Sequence, residues 1–177
     1  MAVTIVKDNY PALAVTGGNG VSGKRIVVYL NYGTYNDGST DQPATADHPV
    51  WNLLGGVTSH TWSVSGNIQT AQTKDNGYWA DGVLTSKSAE LSADITMKRD
   101  NIAQEAIEAF MMDDDITAAK NALMIAIVDL DTLDYTQAWV IPSSWEITAG
   151  SEDMVTKNLS ATCVGAPEKK TGFVVPV

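Results

Sequence analysis

The sequence predicts a mainly β fold: a β-sandwich or partly open barrel with one α-helix on its flank. Three observations carry this reading. Period-two alternation is clearest at 89–97, where Ala89, Leu91, Ala93, Ile95 and Met97 alternate with Glu90, Ser92, Asp94 and Thr96. That is the pattern of a strand with one buried and one wet face. The period changes once, to helical spacing, with Ile102, Ala103, Ala106, Ile107 and Phe110. The order is therefore strands, one helix, then more strands, with no repeat of fixed period. The 177 residues, 44% hydrophobic and 18% charged, suit one domain with a single core.

The elements follow in chain order. Residues 24–32 are rich in β-branched and aromatic side chains between Gly23 and Gly33, and read as the first strand. Residues 33–50 hold Asn36-Asp37-Gly38, Pro43 and Pro49 and read as one long loop. Loops beyond about 12–15 residues without their own structure are usually functional or disordered, and a role is expected for this one. Residues 57–65 set Ser59, Thr61, Ser63 and Ser65 against Trp62 and Val64; Gly66-Asn67 then breaks the run, and 68–73 continues extended. Asp75-Asn76-Gly77 is a turn signal, and 84–98 is the alternating strand.

Asp100 or Asn101 caps the helix that follows, with Gln104 three residues after Asn101 in a capping-box pattern. Asp113-Asp114-Asp115 sits badly at that helix's negative end and better at the start of a second short helix, 116–122. Residues 123–130 and 135–148 are strands. Pro142 makes the latter either two strands or an edge strand with a bulge. Residues 155–164 close the series, with Val155, Leu159, Ala161 and Cys163 on one face and Lys157 breaking the pattern. The division is an N-terminal arm (1–23), a β domain (24–165) containing the 33–50 loop, and a C-terminal arm (166–177) with the apolar end Phe173-Val174-Val175.

Charge narrows the function classes. The formal net charge is −10, and residues 101–135 hold eight Asp/Glu against one Lys. A chain this acidic lacks the cationic footprint of a nucleic-acid binder. The single cysteine, Cys163, permits neither an intrachain disulfide nor a multi-cysteine metal site, and reads as a small core residue. No apolar run is long enough to span a membrane. The start, Met1-Ala2-Val3-Thr4, shows no signal peptide, so synthesis in the cytoplasm is expected.

Motifs for chemistry fail on context. Gly18, Gly20 and Gly23 match a dinucleotide fingerprint, and Gly18 to Gly23-Lys24 nearly a phosphate loop. Both require a following helix whose amides face phosphate. Residues 26–30 read as a strand, and Arg25 stands where the magnesium hydroxyl belongs. His48 and His60 have no partners at metal-ligand spacing. Asp129, Asp131 and Asp134 open like a calcium loop but lack its glycine and have Val140 at the last ligand position. No nucleophile elbow is present. No cofactor, metal or catalytic residue is therefore expected. Trp51, Trp62, Trp79, Trp139 and Trp145 read as core and interface residues. The alternative is a carbohydrate-binding, adhesin-like module using them as a sugar platform.

Residues 61–79 resemble the central strand pair of major tail tube proteins of long non-contractile-tailed bacteriophages and related prophages. A strand of small polar residues runs into Thr73-Lys74-Asp75, Gly77 and Trp79. The next alternating strand, the one helix, and a closing Asn158-Leu159-Ser160-Ala161-Thr162-Cys163-Val164-Gly165 also fit, so the likeness covers about 55–165. It implies a structural virion protein that self-assembles into stacked hexameric rings within the tail, alongside other tail proteins. DNA would pass down the channel without specific binding. Asn36, Asp37, Gly38, Pro43, Thr73, Lys74, Asp75, Trp79, Phe173, Val174 and Val175 are then candidate inter-subunit residues, in the long loop, the strand pair and the C-terminal arm.

Overall fold

The computed structural model describes residues 23–71, 81–114, 121–151 and 153–176. Nine strands and one helix form within them: β1 (Ile26–Asn31), β2 (Thr34–Asn36), β3 (Asp41–Pro43), β4 (Trp51–Leu53), β5 (Val57–Ala71), β6 (Asp81–Thr96), α1 (Ile102–Met112), β7 (Leu123–Asp129), β8 (Tyr135–Thr148) and β9 (Thr156–Lys170). Seven strands make one antiparallel sheet in the order β4-β1-β7-β8-β9-β6-β5, and β2 with β3 makes a separate hairpin.

The open-barrel form of the expectation is the one seen. β4 and β5 lie at opposite margins of the sheet, yet only Leu54, Gly55 and Gly56 join them in the chain. The sheet must curl until its two margins meet at that turn. Val28, Leu30, Leu91, Ile95, Ile125, Val140 and Leu159 from across the sheet accordingly share one core with Ala103, Ala106 and Ile107 of α1. A smaller cluster on the other face joins Tyr29, Ala126 and Val128 to Phe173.

The alternation at 89–95 holds, with Ala89, Leu91, Ala93 and Ile95 buried and Glu90, Ser92 and Asp94 exposed. Met97 lies past the strand's end and is exposed. Asn101 is the helix cap: its Oδ1 accepts from the Gln104 N–H at 3.0 Å. Asp100 is the residue before it, turned into the left-handed region at φ 61°. The return arm of the capping box does not form, because the Gln104 side chain is spent on other backbone partners. The proposed helix over 116–122 falls mostly outside the described residues.

Three readings need correction and one alternative is settled. Residues 33–50 are not structureless, since β2 and β3 pair within them from Thr34↔Pro43 to Asn36↔Asp41. Gly66-Asn67 does not end a strand. β5 runs through, and the break is a bulge in which Asn67 faces Ser86 and Ile68 faces Leu84, leaving Thr85 unpaired. Of the two alternatives at Pro142 the bulged edge is the one seen: β8 is continuous, its ladder with β7 ends at Val140, and a register shift against β9 between Pro142 and Ser144 accommodates the missing N–H. β9 continues to Lys170, across the expected start of the C-terminal arm at 166.

Lys157 explains its own break in the β9 pattern. It is 3% exposed, and its Nζ donates to Glu108 Oε2 at 2.7 Å while lying 5.1 Å from the Trp145 ring centroid. A buried cation is tolerable only with such a partner. Lys157 also holds the Glu108 carboxyl below its ordinary range by donating to it. The Trp145 indole N–H lies toward the same carboxylate and adds a small pull, although it falls short of hydrogen-bond geometry.

Candidate functional site

The feature that most needs a partner is the β5–β6 arm. β6 pairs with β9 only over Glu90–Thr96, while β5 and β6 pair with each other over their whole described length. Beyond Glu90 the arm is therefore a two-stranded ribbon, a form that is marginal by itself in water. β5 is also the sheet's margin, fifteen residues long, with no Lys, Arg, Asp, Glu or Pro in it. Strand margins left free in monomers are usually short, charged or interrupted by proline. β9 shows that protection where it parts from β6, with Gly165 at φ 77° and Pro167; β5 does not.

The ribbon also carries uncovered apolar surface. Val64, Ile68, Val83 and Leu84 are 60%, 62%, 66% and 49% exposed. Ile68 faces Leu84 directly, and Val64 faces the buried Ala89. The bulge at Thr85 turns Leu84 to the same face as Val64 and Ile68, since skipping one residue inverts the side-chain parity of a strand. A Cβ at Gly66, also on that face, would come within 2.6 Å of Leu84 Cδ1. The core stripe of the sheet thus runs on along the ribbon, past Lys87 opposite Gly66, with none of the described residues covering it.

The opposite face of the same strands is polar. The register aligns Ser63, Glu90, Thr162 and Ile141 in one row, Thr61, Ser92, Ser160 and Ser144 in the next, and Ser59, Asp94, Asn158 and Glu146 in a third, so Ile141 is the one apolar side chain in the three rows. Ser59 Oγ donates to Asp94 Oδ2 at 2.6 Å, and the Ser65 and Ser88 hydroxyls lie 2.8 Å apart. The only charges in these rows are the carboxylates of Glu90, Asp94 and Glu146. Hydroxyls and carboxylates with no basic side chain give phosphate nothing to hold.

The predicted residues fall in different places. Asn36, Asp37 and Gly38 form the tip of the β2–β3 hairpin. Asp37 Oδ1 accepts from Thr40 N, Ser39 N and Ser39 Oγ at 2.9–3.0 Å, and those bonds, Thr40's first, hold its carboxyl below the usual range. Asn36 Oδ1 accepts from Gly38 N at 2.8 Å, and Gly38 adopts φ 100°. The tip is exposed and locally fixed, and Pro43 ends the hairpin's second strand. Thr73, Lys74, Asp75 and Trp79 lie outside the described residues, as do Gly18 and Gly20. Phe173 is corrected: it is 3% exposed, with ring centroids 4.8 Å from Tyr29, 5.2 Å from Tyr135 and 5.8 Å from Trp51. It anchors its own chain, leaving Val174 and Val175 exposed beyond it.

The residues weighed for chemistry have other uses. Asp131 pairs with Arg25 at 2.8 Å, Asp129 Oδ1 accepts from Asp131 N, and His48 stacks on Tyr35. Burial lowers the pKa of His60 and raises that of Cys163. No group of three potential metal ligands occurs among the described residues. Trp62 and Trp145 pack on the main core and Trp51 on Phe173, so Trp139 is the one exposed indole among the four described. No convergent aromatic platform forms there. The small polar, nearly charge-free face of residues 57–65 and 68–73, and strand edges awaiting identical neighbours, were legible in the sequence. Which strand forms the margin, and the apolar stripe on its other face, were not, because both depend on the register.

The sequence pattern of a family described as phage tail tube protein matches residues 21–169. The chain belongs to that family. Solved tail tube structures share its fold at low identity. A tail of an empty gene transfer agent particle, refined with C6 symmetry, matches with TM-score 0.63 and 14% identity, covering 86% of this chain and 100% of that one. The SPP1 tail tube matches with TM-score 0.57 and 12% identity, over 88% and 81%. A chain of the anti-feeding prophage baseplate matches with TM-score 0.53 and 8% identity, over 88% and 97%. No curated protein matches in sequence. As a tail tube protein the chain has a structural role, and its informative surfaces are those that meet other chains.

Proposed function

We propose that this protein assembles into stacked hexameric rings that form the tail tube of a phage-like particle, with the polar face of β5, β6, β9 and β8 lining the channel. The observation that carries the reading is the unguarded fifteen-residue margin of β5. Identical copies placed head to tail around an axis give every such margin a neighbour and leave none exposed. The C6 symmetry of the gene transfer agent tail supports six copies per ring. The apolar stripe of Val64, Ile68 and Leu84 then lies against protein. The hydroxyl and carboxylate rows face the passage, where DNA slides without being gripped. The exposed Asn36-Asp37-Gly38 tip, with Val174 and Val175, supplies contacts between rings and to other tail proteins, and Thr73, Lys74, Asp75 and Trp79 are further inter-subunit candidates on the strength of the family resemblance alone.

No catalytic step is part of this function. The tube stands in the virion after synthesis in the host cytoplasm. It has no contractile sheath, a narrower assignment supported by the likeness of residues 61–79 to tubes of that kind. Negative-stain microscopy of the purified protein tests the reading. Rings or tubes are expected; a monodisperse monomer at high concentration overturns it. Whole particles should show a single-walled tail, and a second protein layer around the tube would contradict the absence of a sheath.

A further inference from the structure

One buried amide joins both strands at the root of the β5–β6 arm to α1. Gln104, on the first turn of α1, is 1% exposed. Its Nε2 donates to Gly55 O at 2.8 Å and to Thr96 O at 3.1 Å, and its Oε1 accepts from Lys98 N at 3.2 Å. Gly55 precedes β5, and Thr96 is the last residue of β6. The same side chain therefore grips the beginning of one strand and the end of the other. Gly56 closes the clasp. It accepts from Thr96 N at 2.8 Å, and at φ 79° a Cβ there would collide with Thr96 O. Beside it, Asn101 Nδ2 donates to Leu53 O at 3.1 Å, where β4 ends.

This arrangement is unlike a typical buried glutamine in a core, because every partner is backbone and every partner sits at the base of the arm. Among the described residues the arm is hydrogen-bonded to another strand of the sheet only through the β6–β9 ladder at Glu90–Thr96, where Leu91, Ala93 and Ile95 also pack on the core shared with α1. A single ladder lets two parts of a sheet twist and coil about one line. Gln104 lies off that line and ties the arm to the helix. The arm is also long. At about 3.3 Å per residue the part of β6 beyond the β9 ladder, residues 81–89, spans roughly 30 Å, so a tilt of about 10° moves the far end by about 5 Å. That equals the spacing of about 4.8 Å between paired strands, enough to lose register with a neighbour.

We propose that Gln104 is a positioning residue for assembly: its buried amide fixes the angle at which the β5–β6 arm leaves the body, and so brings the arm into register with a second copy of the chain. The consequence for assembly rests on the tube reading; the fixing of the arm does not.

The test uses the full chain with Cys163→Ala and spin labels at Ser86→Cys on the arm and Lys169→Cys on the body, diluted with unlabelled protein. Gln104→Met keeps the volume and removes the three bonds. Ile107→Val, a core change one helical turn from Gln104 that removes no hydrogen bond, is the control for general loss of stability. Gln104→Met should broaden or shift the arm–body distance distribution and raise the concentration needed for tubes by about tenfold, the equivalent of one lost hydrogen bond. Ile107→Val should leave both unchanged. If Gln104→Met does not fold, Gln104→Glu replaces it: it keeps the acceptor for Lys98, loses both donor contacts, and should broaden the distances likewise. An unaltered distance distribution in the folded variant, or an equal change in Ile107→Val, overturns the proposal. A wild type that never forms tubes would count against the tube reading alone, because the distance measurement stands without assembly.

Discussion

Glu108, Lys157 and Trp145 join α1 to the sheet, and the fates of the two charges differ. Lys157 is 3% exposed and Glu108 39% exposed at the side chain. Removing the carboxylate strands a buried cation, whereas removing the cation leaves a carboxylate that water can reach. Glu108→Gln should therefore destabilise the fold more than Lys157→Met, by about 1–2 kcal/mol once the exposed partner's screening is allowed for; urea unfolding of both variants measures the difference. The acid response follows in sign. The folded carboxyl titrates below its ordinary value of 4.5. Its contribution is present above that value and is lost as pH falls through the lower, folded one. Glu108→Gln should show a flatter loss of stability over that window than wild type. Phe173 makes a separate case, for it packs on three aromatic rings within its own chain. Phe173→Ala should cost about 3 kcal/mol in the same measurement, the range for a buried aromatic. A change confined to assembly would instead return Phe173 to the subunit interface. Its role was hidden in the sequence because an apolar residue near a chain's end looks the same whether it serves its own core or a neighbour's.

At the scale of elements, alternation was legible wherever one face is wet. The stretch around Ala89, Leu91, Ala93 and Ile95 reads directly off the sequence because water and core lie on opposite sides of it. The helix was legible for the corresponding reason, and Asn101 caps it as its type suggests. Legibility failed where tertiary context overrides local preference. Gly66-Asn67, read as a break, is absorbed by a bulge, and Gln104 leaves its local capping role for the carbonyls of Gly55, 49 residues earlier, and Thr96, 8 residues earlier. The ribbon gives the sharpest prediction at this scale. Ile68 is 62% exposed, so Ile68→Lys should change folding stability by no more than about 0.5 kcal/mol. It should nevertheless abolish tubes, because a charge on an otherwise uncharged strand opposes pairing with a neighbour. Thermal unfolding alongside electron microscopy separates the two effects. A variant that still forms tubes would remove the ribbon from the interface.

For the whole molecule, the channel assignment rests on composition by face rather than on net charge. Of the acid in residues 101–135, Glu105 and Glu108 lie on α1, Asp113 and Asp114 just beyond it, and Asp129, Asp131 and Asp134 at the β7–β8 turn, while the proposed channel carries Glu90, Asp94 and Glu146 among hydroxyls. That partition was not legible before the register was known, since it depends on which strands lie side by side. Replacing Glu90 and Asp94 by lysine should leave tubes intact but make them retain DNA. Bound DNA should fall steeply with added salt, the mark of phosphate contacts. Tubes that retain no DNA would place that face elsewhere. The most direct test of the account is a cryo-EM reconstruction of the assembled protein. It should show β5 hydrogen-bonded along its free margin to a strand of the adjacent copy, with Ser63, Glu90 and Ser160 facing the channel. An assembly in which β5 meets only solvent, or in which those side chains face outward, would contradict it.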